Sequence, residues 1–173
     1  YKRQTQGHAV MLDLANHAKS CAPLEAQLAK HLGEGWTVSR HVVGKDGSGL
    51  SKRDVQSALA QATHVLVTAT EMSHRPSRNF GIQPEGLARM ATLLQERNLD
   101  PRNVIVVWMG NPYALPEFVA LQSHVAGILV AYQDDERTCH AVADAVGDPV
   151  GLGGLRPPQP PPAPPRGAPG GIH

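Results

Sequence analysis

A chain of 173 residues is long enough for one domain with a real hydrophobic core. Sixteen Lys and Arg against fifteen Asp and Glu leave a formal net charge of +1, which offers no electrostatic footprint for nucleic acid or for an anionic membrane surface. The longest apolar runs reach five or six residues, far short of a membrane span.

Starting at Tyr1, without a methionine or an apolar leader, the chain reads as a fragment or processed product, its compartment open but leaning cytoplasmic. The first thirty-five residues hold two stretches that look helical, "HAVMLDLANHAKS" and "PLEAQLAKHL", split by Pro23. They are read as a helical linker over 1–35, because no convincing opening strand stands out. An α/β domain then covers 36–150. Its expected strands are "WTVSRHVV" at 36–43, "HVLVTA" at 64–69, "NVIVVWM" at 103–109 and "GILVAY" at 127–132. The last three are nearly continuous apolar runs, as strands covered on both faces should be.

Helical patterns alternate with these strands. "SKRDVQSALAQA" has Ser51 as its expected N-cap and sets Val55, Ala58, Leu59 and Ala62 on one face. "QPEGLARMATLLQERN" aligns Leu87, Met90 and Leu94, with Pro84 suited to its first turn. "LPEFVALQS" and "DDERTCHAVADAV" complete the series. The β-α rhythm predicts a three-layer α/β sandwich around a mostly parallel sheet. From Arg156 onward, eight prolines in eighteen residues predict a disordered tail, placed over 151–173.

Most chemical motifs fail on spacing. "GKDGSG" at 44–49 has neither dinucleotide nor P-loop order and reads as a flexible loop. None of the nine histidines sits in a zinc-protease spacing, so no metal and no cofactor are expected. His140 and Asp144 share a helix face at i and i+4, at best a weak surface pair. Cys21 and Cys139, far apart in sequence, read as small core residues of a reduced protein. "DDE" at 134–136 reads as a cap for the helix that follows.

Two loops are more informative. "TEMSHRPSRNFG" at 70–81 leaves a strand at the edge where ligands collect in open parallel sheets, and it carries Glu71, His74, Arg75 and Arg78. Glu71 or His74 could donate a proton there. The second loop, "GNPY" at 110–113, ends a buried strand. Gly110 permits an unusual φ, Asn111 is held extended before proline, Pro112 stiffens the turn, and Tyr113 can pack its ring while its hydroxyl stays wet. Both loops are predicted to share one rim of the sheet.

"VIVVWMGNPYALPEF" followed by "GILVAYQDDERTCHAVADAVGD" resembles the carboxy-terminal α/β sandwich domain of glycoside hydrolase family 3, nearest its β-N-acetylhexosaminidase branch. In that family a strand ends in a Gly-Asn-Pro-Tyr corner, and a later strand ends in Ala-Tyr before an acidic helix start, as Ala131 and Tyr132 do here. "HAVMLDLANHA" looks like the helix that links the family's barrel to this domain, with a contraction expected around 20–26. The family's Gly-x-Leu-Pro-Val close is replaced by "GLGGLRPPQPPPAPP".

The resemblance implies hydrolysis of terminal β-linked N-acetylhexosamine or glucose. It places the catalytic aspartate on an amino-terminal (β/α)8 barrel, and no barrel is present in the sequence. The resemblance therefore implies an accessory domain that is inactive alone and meets its glycoside substrate through a barrel partner. Glu71 is its acid/base candidate, and His74, Arg75, Asn111, Tyr113 and Tyr132 are its candidate sugar contacts. The competing expectations are a non-catalytic α/β module that binds a small molecule or protein, and a truncated or frameshifted gene product.

Overall fold

The computed structural model describes residues 6–19, 21–73 and 75–147. Five parallel strands form one sheet in the order β2-β1-β3-β4-β5: β1 Gly7–Leu14, β2 Trp36–Val42, β3 His64–Ala69, β4 Val104–Met109 and β5 Gly127–Ala131. Helices α1 (Ala22–Leu32) and α4 (Glu136–Gly147) cover one face, and α2 (Arg53–Gln61) and α3 (Pro84–Glu96) cover the other. The α/β sandwich expected from the sequence is present. The proline-rich tail expected over 151–173 lies outside the described residues.

Alternation along the strands divides the core between the two faces. Val10, Leu12, Val65, Val67, Val106 and Trp108 pack with Val55, Leu59, Leu87 and Met90 from α2 and α3. Met11, Leu66, Val107 and Met109 pack with Leu24 and Leu28 of α1 and Val142 and Val146 of α4. A strand with helices on both sides has no solvent-facing side, which explains the nearly continuous apolar text of β3 and β4.

The expectation for residues 8–20 is corrected. "HAVMLDL" is not a linking helix but β1, the central strand, paired Ala9 to His64 on one side and Gly7 to Trp36 on the other. The opening strand is present, so no contraction around 20–26 is needed to account for it. Ala, Met and Leu favour helix, but sheet pairing on both edges overrides that weak preference. Asp13 also interrupts the apolar run, and only tertiary contacts explain a carboxylate inside a strand. "PLEAQLAKHL" does form a helix, with Pro23 in the first turn of α1 rather than acting as a divider.

Smaller differences follow from local chemistry. The N-cap of α2 is Lys52, not Ser51, which belongs to a 3-10 turn over Ser48–Ser51. "LPEFVALQS" lies within a run of 3-10 turns over Pro112–His124 rather than in an α-helix. Pro112 and Pro116 have no amide to donate, so regular i to i−4 bonding cannot be sustained there. The "GKDGSG" loop is packed: Asp46 Oδ1 accepts the Ser48 N–H at 3.0 Å, and the Gly86 Cα of α3 lies against the Lys45 carbonyl. Within the loop, a Cβ at Gly49 would lie 2.7 Å from the Val43 backbone, so that glycine serves close packing. Asp144 pairs with His31 across α1 and α4, and His140 lies 4.0 Å from Glu136, rather than the two meeting in the weak surface pair their spacing allows.

Candidate site at the carboxyl rim of the sheet

The chain reverses direction across the sheet between β1 and β3, so the loops after these strands diverge to opposite faces. In doubly wound sheets ligands bind at the carboxyl ends of the strands. The loops after β3, β4 and β5 meet at this edge around an open cleft of about 430 Å³, lined by Met72, Met109, Gly110, Asn111, Pro112, Tyr132, Gln133 and Asp134. That volume is within the usual range for a small-ligand site.

The Gly-Asn-Pro-Tyr corner is held rigidly. Gly110 takes a φ of 145°, and a Cβ there would lie 2.7 Å from the Met72 side chain. Its N–H donates to the Ala131 carbonyl at 2.7 Å, tying the end of β4 to the end of β5. The indole Nε1–H of buried Trp108 donates to the Asn111 carbonyl at 3.0 Å. The Phe118 ring meets Trp108 edge-on, 4.4 Å between centroids, so the indole is clamped from the helical side. Asn111 Oδ1 accepts the Tyr113 N–H at 3.0 Å and caps the 3-10 run. Asn111 is extended, with φ −71° and ψ 118°, as its place before proline requires.

Next to the cleft stands Glu71, which adopts a left-handed φ of 56°. Its carboxylate oxygens accept the backbone N–H groups of Asn16 and His17, each at 3.0 Å, and so hold the β1–α1 loop. Its carbonyl accepts a hydrogen bond from Lys45 Nζ, and its N–H donates to Asp134 Oδ2 at 3.2 Å. Asp135 Oδ1 caps α4 by accepting the Thr138 N–H at 2.8 Å, which holds its carboxyl below the usual range.

Of the residues singled out in the sequence, Asn111 and Tyr132 line the same cleft, and Tyr132 is 73% exposed. Glu71 is one hydrogen bond away, through Asp134. Tyr113 is 79% exposed and does not line the cleft, so its ring does not pack as expected. Arg75 is exposed on the loop after β3, where its N–H donates to Ser73 Oγ at 3.2 Å. His74 lies outside the described residues. Met72, Gln133 and Asp134 were not anticipated as cleft residues. Their sequence signal was position alone, two or three residues beyond a strand end.

Below the rim lies a buried polar knot. Asp13, fully buried in β1, accepts hydrogen bonds from Thr68 Oγ1 at 3.0 Å and Thr70 Oγ1 at 3.4 Å, both on Oδ1. Arg40 Nη1 lies 3.5 Å from its other oxygen, while Arg40 Nε donates to Glu25 at 3.0 Å and Nη2 to the Ala18 carbonyl at 2.6 Å. Burial pushes the Asp13 carboxyl up to about 6, against the opposing pull of Thr68 and Arg40. The knot joins β1, β2, β3, α1 and the β1–α1 loop.

Among the described residues, no cluster of three or more His, Cys, Asp or Glu side chains could hold a metal ion. No helix of the described residues is long and apolar enough to cross a membrane. No protein-family model matches the chain, and no curated protein matches it.

Proposed function

We propose that this chain is an accessory domain of the family 3 glycoside hydrolase type, whose carboxyl rim completes a sugar site on a separate (β/α)8 barrel. The observation that carries this reading is the cleft in which the Gly-Asn-Pro-Tyr corner faces the Ala131–Tyr132 strand end. Its lining suits a neutral polyol. Tyr132 offers an aromatic face for sugar C–H groups, and Asn111, Gln133 and Asp134 supply donors and acceptors for hydroxyls.

The chain by itself is read as inactive. A retaining glycosidase needs two carboxyl groups roughly 5 Å apart, one as nucleophile and one as acid/base. Glu71 spends both carboxylate oxygens on loop backbone, which supports a positioning role over proton transfer. The family's nucleophile belongs to a barrel that these residues do not supply. Incubation with a chromogenic β-N-acetylglucosaminide should therefore give no turnover above background, and turnover would overturn the reading. A separately produced family 3 barrel should be retained by the immobilised domain, with retention weakened by Tyr132→Ala.

The same cleft also supports a second reading. At about 430 Å³ it could hold a monosaccharide-sized ligand without any barrel. Saturable sugar binding by the domain alone, with no retention of a barrel, would favour that free-standing module.

A further inference from the structure

The strand order reverses between β1 and β3, and the crevice outside such a reversal is where doubly wound sheets take ligands. The loop after β1 leads to α1 on one face, and the loop after β3 leads to α3 on the other. The Glu71 carboxylate bridges these two loops. One of its oxygens accepts the Asn16 N–H and the other the His17 N–H, each at 3.0 Å. Two successive backbone amides, each aimed at one oxygen of a single carboxylate, make an anion seat. Arg40 Nη2 braces the same loop through the Ala18 carbonyl at 2.6 Å. Asn16 and His17 are exposed and Glu71 is half-buried, so solutes can reach the seat.

We propose that the Asn16 and His17 amides form a binding site for a small carboxylate, and that Glu71 is its built-in competitor, holding the seat until an external carboxylate displaces it. Glu71 is placed to yield. It takes a left-handed φ of 56°, which residues with a side chain seldom adopt, so the closed arrangement carries strain that a shift of the turn would release. Its N–H donates to Asp134 Oδ2 at 3.2 Å and its carbonyl accepts from Lys45 Nζ, and both of these partners are side chains able to follow such a shift.

The nearby charges set the class of ligand. Asp134 sits on the Glu71 N–H, and Asp13 sits on the Thr70 hydroxyl one residue earlier. A phosphate dianion would be repelled by both, whereas a carboxylate replaces the charge of Glu71 like for like. Two donors also match two carboxylate oxygens with none left over. Displacement would reach the neighbouring cleft, because Asp134, which lines it, loses the Glu71 N–H. The seat itself is built from its own amides, whatever the cleft binds.

Acetate is the probe, and the backbone amide resonances of Asn16 and His17 in the full chain are the readout. In wild type, acetate should move both resonances saturably, while chloride at equal ionic strength leaves them fixed. Glu71→Ala removes the competitor, so the acetate midpoint should fall about tenfold. Glu71→Gln, whose side-chain oxygen still accepts one bond, should fall between the two. Acetate should also slow hydrogen exchange at both amides of Glu71→Ala back toward the wild-type rate. Phosphate should act more weakly than acetate in all three proteins. Wild-type amides indifferent to molar acetate would show a clamp that never opens, and would overturn the proposal even if Glu71→Ala responds. Phosphate acting more strongly than acetate would overturn the assignment to a carboxylate. Because the wild-type titration decides the matter, a variant that folds poorly leaves the test intact.

Discussion

Gly110 shows how one residue sets the shape of the rim. A φ of 145° is foreign to residues with a side chain, and the space a Cβ would need is occupied by Met72. Gly110→Ala should therefore combine backbone strain with overpacking and cost about 2–4 kcal/mol. Chemical denaturation read by tryptophan fluorescence would measure it, because Trp108 anchors the same corner. A cost below about 0.5 kcal/mol would show that the corner yields, and the cleft wall would then not be preorganised. This residue was legible in the sequence, since a glycine between a buried run and Asn-Pro has few other uses. Its contact with Met72 was not, because Met72 reaches it from a loop some forty residues away.

At the level of elements, the rim is a set of loops tied to one another rather than to their own strands. Glu71 follows β3, yet its carboxylate holds Asn16 and His17 after β1, and its N–H reaches Asp134 after β5. Glu71→Ala leaves two backbone donors without these acceptors and should cost about 1 kcal/mol. The expected signature is local. Amide hydrogen exchange at Asn16 and His17 should accelerate on the order of tenfold, while amides of β3 and β4 keep their protection. Glu71→Gln should restore part of it, since an amide oxygen still accepts one bond. Unchanged exchange at both amides would mean that the loop holds without the clamp. The same elements show where sequence reading succeeds and fails. Strands β3 and β4 were read to within one residue because an apolar run of strand length admits few alternatives. Strand β1 was misread because its composition favours helix. The donors that satisfy Asp13 come from β2, β3 and the loop after β3.

For the whole molecule, Asp13 couples folding to pH. The folded carboxyl is raised to about 6 by burial, whereas the unfolded chain keeps the ordinary value of 3.8. The folded state therefore holds this proton more tightly. The resulting stabilisation is fully present below about pH 4, is lost as pH rises toward about 6, and then levels off, a change on the order of 3 kcal/mol. Asp13→Asn removes the titration. The stability difference between wild type and variant should therefore shift in the variant's favour between about pH 4 and about pH 6, whatever the variant's absolute stability. Urea melts of both proteins across that range measure it, and a constant difference would show that Asp13 titrates normally in the fold.

The sequence alone determined the α/β class, four of the five strands to within one residue, and the meeting of the loops after β3 and β4 on one rim. These depend on local periodicity and on short runs whose burial on both faces is written in their composition. Tertiary structure alone decided the central place of β1, the burial of Asp13, the joining of Glu71 to Asn16, His17 and Asp134, and the sharing of one buried cluster by Cys21 and Cys139. Each of these depends on residues more than twenty-five positions apart, and no local pattern encodes such proximity. It exists because the strand order brings the ends of separate segments to one edge of a single sheet.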